Sequence, residues 1–185
     1  GRTDCGIADE IFEKYNLDDT PQERRRFMQS YLERLPDCLQ ALPGAVLPGV
    51  RTLLDHLAGR PDVHLSLLTG NYVEGAWIKL RHFGIDHFFT SGGYGDDYAH
   101  RDDVARYALS DVCRHLSRSV AGADTCVIGD TPADIRCARA IGARAVAVAT
   151  GGFSSAELSP HEPDHLFEDL SRTVHVAEKL LERIR

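Results

Sequence analysis

Apolar positions in the first 44 residues recur every three to four residues, the period of an amphipathic helix. They form two stripes: Ile7, Ile11 and Tyr15 with Phe12, then Phe27, Tyr31 and Leu35 with Met28 and Leu32. Between the stripes, Thr20-Pro21-Gln22-Glu23 is a capping box with proline at the first helical position. The pattern predicts two helices in a small bundle, bounded by the proline- and glycine-rich segment that begins near residue 44.

From Pro48 onward, short apolar runs alternate with helical patterns. Strands are predicted at 63–68, 87–91, 125–129, 144–150 and, at a sheet edge, 165–169. Helices are predicted from Val50 to Gly59 and at 72–83, 102–117, 132–141 and 171–184. This alternation is typical of an α/β fold whose parallel sheet is covered on both faces, in other words a doubly wound, Rossmann-like sheet.

The composition and charge of the chain exclude some classes of function. The net charge of −7 argues against nucleic acid as a general partner, and no apolar run is long enough to span a membrane. The five cysteines are dispersed, with no CxxC pair, which suits a reducing compartment, so a cytoplasmic protein is expected. The triplet Arg24-Arg25-Arg26 is interpreted as a solvated helix face in preference to a ligand clamp.

The ends of the predicted strands carry the candidate chemistry. Thr69-Gly70-Asn71 follows the first strand, Asp130-Thr131 the third, and Gly151-Gly152 the fourth. Ligands of open α/β sheets bind at this edge. Hydroxyl, amide and backbone donors suit a phosphate, whereas the carboxylates Asp130 and Asp134 would repel one unless a cation such as Mg²⁺ lies between them.

A purely structural interpretation exists for part of this pattern. Thr131-Pro132-Ala133-Asp134 is a good helix start, with Thr131 as N-cap and Asp134 favoured by the helix dipole. It leaves Asp130, at the end of an apolar strand, unexplained. The order of Thr-Gly-Asn, a basic residue and Gly-Asp-Thr-x-x-Asp at successive strand ends is more specific than any one of these motifs.

On these motifs the chain resembles the haloacid dehalogenase-like (HAD) hydrolase superfamily, in particular phosphoglycolate-phosphatase-like members with a helical cap. The resemblance implies that the Thr69 hydroxyl binds the transferring phosphoryl group, that Asp130 binds Mg²⁺ and that Asp134 supports the metal shell. It also implies a basic residue that neutralises charge, for which Arg101 is the best match and Arg106 a poorer one. Residues 1–44 correspond to the mobile cap and residues 45–185 to the α/β core.

The sequence departs from the family in one respect. No apolar strand is followed by Asp-x-Asp-x-Thr, the motif that in the family supplies the nucleophilic and acid–base aspartates. In the family's sheet, that strand is central and lies between the strands that precede Thr69 and Asp130. Without it, two inner strand edges would be unpaired, and we expect the 185-residue chain alone to be inactive and to fold poorly.

The resulting expectation is an Mg²⁺-dependent phosphatase that hydrolyses a small phosphorylated metabolite through an aspartyl-phosphate. Thr69, Asn71 and the Gly70 backbone would bind the phosphoryl oxygens. A non-catalytic metabolite-binding or interaction protein and a phosphomutase remain alternatives, because fold does not determine function. A dehalogenase is disfavoured by the Asp130–Asp134 pair. The substrate and the oligomeric state are not encoded in any recognisable pattern.

Overall fold

The computed structural model describes residues 2–182, and the final turn of the predicted last helix (183–184) lies outside them. The helices are α1 (Asp4–Lys14), α2 (Pro21–Ala41), α3 (Val50–Ala58), α4 (Val73–His82), α5 (Arg101–His115), α6 (Pro132–Ala140), α7 (Ser155–Leu158) and α8 (Thr173–Leu181). The strands are β1 (Leu67–Leu68), β2 (Gly92–Gly93), β3 (Cys126–Gly129), β4 (Arg144–Val148) and β5 (His165–Phe167). In the part of the chain described, no helix is both long and apolar enough to cross a bilayer.

The strands form two parallel sheets. β1 pairs with β2, and a second sheet has the order β3-β4-β5, with β5 at the predicted edge position. Strand β4 is central in that sheet, and its residues alternate between two apolar layers. One layer contains Val146 and Val148 with α3 and α8, and the other contains Ala145 and Ala147 with α6 and α7. The predicted α/β class with helices on both faces is therefore confirmed.

Strands β1, β2, β3 and β5 each have one edge without a strand partner among residues 2–182, and β1 does not pair with β3. Ile128 on β3 is 41% exposed, whereas the central β4 residues 145–148 are buried. A missing central strand would leave unpaired edges and an exposed isoleucine of this kind. That strand stays a prediction.

Helix α5 connects the two sheets. It packs over β2 on one side and against α6 on the other, and Val104 and Ala105 are fully buried. Its close approach explains where β2 forms: a Cβ on Gly93 would lie 2.5 Å from Val104 O. The predicted strand at 87–91 is therefore wrong. Residues 86–88 form a 3₁₀ turn, and pairing begins at the glycines.

One further expectation differs from the structure. The strand predicted at 63–68 shortens to Leu67–Leu68, because β2 supplies only two pairing residues. Helix α2 continues through Pro36 and ends at Ala41, close to the boundary predicted near residue 44, and its buried residues are Leu32 and Leu35.

The buried stripe of α1 also differs from the prediction. Ile7 and Tyr15 are 38% and 64% exposed, and the buried residues are Ala8 and Phe12. Phe12 packs edge-on against Phe27 of α2, with ring centroids 5.8 Å apart. The predicted stripe is therefore correct for Phe12 and wrong for Ile7 and Tyr15, and the aromatic contact stabilises the packing of α1 on α2.

Within the arginine triplet, Arg24 is a structural bridge. Its guanidinium donates to Asp9 on α1 and to Asp19 in the connecting loop, and it lies 5.4 Å from the Phe12 ring centroid. Arg26 makes an exposed ion pair with Glu23. The triplet therefore contributes an ion pair between α1 and α2 as well as a solvated surface.

A polar cluster lies at the opposite ends of β1 and β2 from the Thr69 turn. His64 Nε2 lies 2.8 Å from Ser91 Oγ, and the His64 ring centroid lies 4.9 Å from that of His115 at the end of α5. Burial, and then the neighbouring His115, lower the pKa of His64, while Asp111 opposes this effect. The folded protein therefore favours neutral His64.

We expect Ile128→Ala to distinguish a covered β3 edge from an open one in the full-length protein. If a further strand covers Ile128, the substitution should lower the free energy of unfolding by about 2–5 kcal/mol. At an open edge the change should stay within about 0.5 kcal/mol. Urea denaturation measures the difference, with Val174→Ala, at a position 66% exposed, as the matched control.

The stability of the protein should fall as the pH drops below about 6.5, the ordinary pKa of histidine. Since the folded pKa of His64 is lowered, the unfolded chain binds a proton first, and acidification favours unfolding down to the folded pKa. Urea midpoints at pH 7 and pH 5.5 should differ less for His64→Gln than for the unsubstituted protein. His161→Gln, at an exposed position, is the control. Equal pH slopes for all three proteins would contradict this role of His64.

Candidate active site

The turn after β1 contains the predicted phosphate-binding residues. Thr69 N donates to Gly93 O at 3.0 Å, which continues the β1–β2 pairing by one residue. Asn71 N donates to Thr69 Oγ1 at 3.2 Å, so the hydroxyl oxygen is used as an acceptor inside the turn. The Thr69 O–H proton remains available to a group outside the turn.

The side chain of Asn71 has a similar arrangement. Lys79 Nζ donates to Asn71 Oδ1, and among residues 2–182 the amide Nδ2 makes no hydrogen bond. In the described structure, therefore, the side-chain oxygens of Thr69 and Asn71 each accept a hydrogen bond while their donor groups are unused. A pair of free donors at one turn suits an anion such as a phosphoryl group.

Gly70 is enclosed by the start of α1. Its carbonyl accepts from Asp4 N at 2.6 Å, and a Cβ on Gly70 would lie 2.1 Å from Arg2 O. Any side chain at this position would therefore displace the backbone of residues 2–4. The first turn of the predicted cap is thus packed directly on the predicted phosphate-binding turn.

The first N–H groups of α4 are satisfied by two carboxylates from outside the helix. Asp4 Oδ2 accepts from Tyr72 N at 2.9 Å, and Asp96 Oδ2 accepts from Val73 N at 2.8 Å. Burial raises the pKa of Asp96, and the hydrogen bond from Val73 N opposes this. Since these donors are already used, an anion in this region would depend on Thr69 and Asn71.

Asp130 lies at the carboxyl end of β3, where it was predicted, and is partly buried. It makes no hydrogen bond or ion pair with any residue in the range 2–182. Its Oδ2 would be only 1.7 Å from a Cβ on Gly151, so the absence of a side chain at Gly151 provides the space that the carboxylate occupies. Asp130 is therefore a carboxylate with its lone pairs available at the predicted edge of the sheet.

Asp134 has two structural partners. Its Oδ2 accepts from Thr131 N at 3.1 Å and from Thr131 Oγ1 at 2.8 Å, which is the helix-start arrangement anticipated for this residue. Its Oδ1 accepts from the guanidinium of Arg101. The two side chains of this ion pair are only 10% and 14% exposed. Asp134 thus forms an ion pair with Arg101 and accepts hydrogen bonds that stabilise the start of α6.

Arg101 and Arg106, the two candidates for the charge-neutralising basic residue, lie at different positions on α5. Arg101 is the first residue of α5, and its Nε is buried without a hydrogen-bond acceptor among the described residues. An unpaired buried donor is costly and suits a site that receives an anion. Arg106 lies on the outer face of α5, 57% exposed, in an ion pair with Asp103. The geometry therefore favours Arg101.

A cleft of about 540 Å³ lies beside Arg101, between the start of α1 and the starts of α5 and α6. Its charged and titratable lining residues are Arg2, Asp9, Glu10, His100, Arg101, Asp102 and Arg136. Arg2 is paired with Glu10, while Arg136 has no ion-pair partner in the part of the chain described. The cleft is a polar space between the predicted cap and core, of a size that suits a small metabolite.

Of the two residues predicted to bind Mg²⁺, only Asp130 is placed as a free ligand. Within residues 2–182, no cluster of three or more His, Cys, Asp or Glu is arranged to hold a metal ion. Asp130 is free to bind one, whereas Asp134 is engaged by Arg101 and Thr131. Mg²⁺ is commonly held by one or two carboxylates, waters and a substrate phosphate, so Asp130 fits that donor set.

Sequence reasoning missed Lys79 and the start of α1. Lys79 lies eight residues after Asn71, on the side of α4 that faces α2, and no motif in the sequence indicated the contact between them. Thr3 is fully buried, and its Oγ1 donates to Ala99 O, two residues before Arg101. No motif in the sequence indicated that Thr3 and Asp4 contact the loops after β1 and β2.

Comparison with known proteins gives a family match for part of the chain. Residues 101–173, which include Arg101, Asp130 and Asp134, match the family model described as HAD-hydrolase-like. A phosphoglycolate phosphatase from Synechococcus elongatus is 28% identical over 162 residues, which cover 88% of this chain and 72% of that protein.

Solved structures share the fold. A hydrolase from Pseudomonas syringae has a TM-score of 0.69 at 19% identity, over 94% of this chain and 77% of that one. A haloacid dehalogenase-like family protein from Streptococcus pneumoniae has a TM-score of 0.60 at 24% identity, over 71% of this chain and 60% of its own. This chain therefore spans less than two thirds of the Streptococcus protein. By its motifs, its matched segment and its fold, the chain is similar to the haloacid dehalogenase-like hydrolases, and the resemblance indicated by its sequence is confirmed.

Proposed function

We propose that the chain provides the phosphate-binding and metal-binding residues of an Mg²⁺-dependent phosphatase that acts on a small phosphorylated metabolite. The observation that carries the proposal is the turn at Thr69 and Asn71, whose side-chain acceptors are used internally while its donors are free. Donors aimed at a phosphoryl group stabilise the charge that develops on its oxygens.

Arg101 would provide the positive charge of the site. The ion pair with Asp134 uses one amino group of its guanidinium. The other amino group would donate to a phosphoryl oxygen or to a carboxylate nucleophile. Asp134 orients the guanidinium and does not need to touch the substrate.

Mg²⁺ would be held by Asp130, with waters and a substrate oxygen completing its ligands. When bound, it would offset the negative charge of the phosphoryl group. Asp134, close to the helix start that follows Asp130, would act through Thr131 and Arg101.

The nucleophile would be an aspartate on a strand parallel to β1 and β3, in the space between their unpaired edges. Its carboxylate would attack phosphorus and displace the substrate alkoxide. Water would then hydrolyse the aspartyl-phosphate and release inorganic phosphate. The exposure of Ile128 and the absence of β1–β3 pairing support this arrangement.

Phosphoglycolate is the first substrate to test, because a relative carries the name phosphoglycolate phosphatase. Release of inorganic phosphate that depends on Mg²⁺ would support a phosphatase. Conversion of a sugar phosphate to an isomer without phosphate release would indicate a mutase. Phosphate binding without turnover would indicate a metabolite-binding protein.

Asp130→Asn should strongly reduce turnover and weaken its dependence on Mg²⁺ without loss of stability, because Asp130 has no described partner. Asp134→Asn should instead lower the free energy of unfolding by about 3 kcal/mol, since it leaves Arg101 as a nearly buried cation without its carboxylate. Activity against Mg²⁺ concentration and urea unfolding test the pair in the full-length protein. An unchanged Mg²⁺ requirement in Asp130→Asn would contradict the metal role.

Thr69→Val should reduce kcat/KM about 10²-fold, because a donor aimed at a charged oxygen is worth about 3 kcal/mol. Thr69→Ser keeps the hydroxyl that both accepts from Asn71 N and donates outward, so it should retain most of the activity. Steady-state kinetics and a thermal melt of each variant provide the measurement. If Thr69→Val is as active as Thr69→Ser, the hydroxyl has only a structural role in the turn.

A further inference from the structure

We infer that Lys79 is a positioning residue for phosphoryl binding, which orients the Asn71 amide so that its N–H₂ group faces the anion. The inference rests on the proposed function and extends it to a residue outside the strand-end motifs. It follows from the contact between Lys79 Nζ and Asn71 Oδ1.

The chemistry of the two groups determines the orientation. A lysine ammonium has three donors and no acceptor, so only the oxygen of a primary amide can face it. The Asn71 amide is planar, and its nitrogen therefore points to the other side. Among residues 2–182, the hydrogen bond from Lys79 is the one that fixes this orientation of the amide, and a 180° flip would present Oδ1, an acceptor, to the phosphoryl oxygens.

The surroundings of Lys79 keep its ammonium at this position. Its Nζ lies 5.9 Å from the ring centroid of Tyr31 on α2, a cation–π contact. Helices α2 and α4 pack against each other, and Tyr31 lies beside the buried Gly75 of α4. The face of Tyr31 thus supports Lys79 from the cap side.

The charge of Lys79 also matters in this region. Lys79 makes no ion pair with a carboxylate in the described range, while Asp4 and Asp96 lie at the neighbouring start of α4. Two carboxylates near the turn would disfavour a phosphate dianion. The uncompensated ammonium opposes them and polarises the Asn71 amide, which strengthens its N–H donors.

The test compares the full-length protein with Lys79→Met, Lys79→Arg, Asn71→Ala and the Lys79→Met/Asn71→Ala double variant. Kinetics with phosphoglycolate, and the binding of inorganic phosphate measured by calorimetry, are both recorded, with thermal melts to verify folding. Arg81→Met, which removes a charge from the exposed side of the same helix, is the matched control.

Lys79→Met should lower kcat/KM and phosphate affinity each by about tenfold, the lower range for a residue that orients a ligand-binding group. Lys79→Arg should recover most of the loss, and Arg81→Met should have little effect. Because Lys79 acts mainly through Asn71, Lys79→Met should cost much less than tenfold when Asn71 is already Ala, and only the loss due to its charge should remain.

Two results would overturn the inference, and a third would contradict the proposed function on which it rests. Lys79→Met with unchanged phosphate affinity would remove any role for the residue. Independent, additive losses in the double variant would show that Lys79 acts by its charge alone and does not orient the amide. An unsubstituted protein that neither binds phosphate nor hydrolyses the ester contradicts the proposed function itself. Phosphate binding that weakens in Lys79→Met, without hydrolysis, supports the inference while rejecting the phosphatase.

Discussion

The nearly buried ion pair between Arg101 and Asp134 joins the two halves of the core. Strands β1 and β2 are not hydrogen-bonded to the β3-β4-β5 sheet among the described residues, so helices must hold the two sheets together. Helix α5 does so, since it packs on β2 and on α6. The ion pair fastens the first residue of α5 to the first turn of α6, and it therefore fixes the candidate catalytic cation relative to Asp130.

The candidate site follows a simple rule of hydrogen bonding. Near the turn after β1, acceptor atoms are satisfied by the protein: Thr69 Oγ1 by a backbone N–H and Asn71 Oδ1 by Lys79. The groups left over are donors. If the turn binds a phosphoryl group as proposed, these donors would contribute to anion binding independently of a metal.

Much of the fold followed from the sequence, because long periodic segments and strong caps leave few alternatives. Thr20 and Gly59 mark helix ends as expected, and β3, β4 and β5 lie within the predicted runs. The errors occurred where tertiary contacts decide. Phe12 of α1 packs on Phe27 of α2 while Ile7 and Tyr15 are exposed, and β2 includes Gly93, where a side chain would collide with α5. In the candidate site, the residue types and the ends of the elements were readable, but the link from Lys79 to Asn71 depends on helix packing that no short motif records.

The backbone segments at Arg2, Gly70 and Gly95 lie in contact, and this contact limits which substitutions the protein tolerates. Arg2 O lies against Gly70, and Gly70 O would be 2.1 Å from a Cβ on Gly95. Neither glycine has a side chain that could take part in chemistry, yet both should be among the least replaceable positions in a comprehensive substitution library. Selection at these positions acts on excluded volume, so an invariant glycine here would be evidence of three stacked peptide segments and not of a catalytic role.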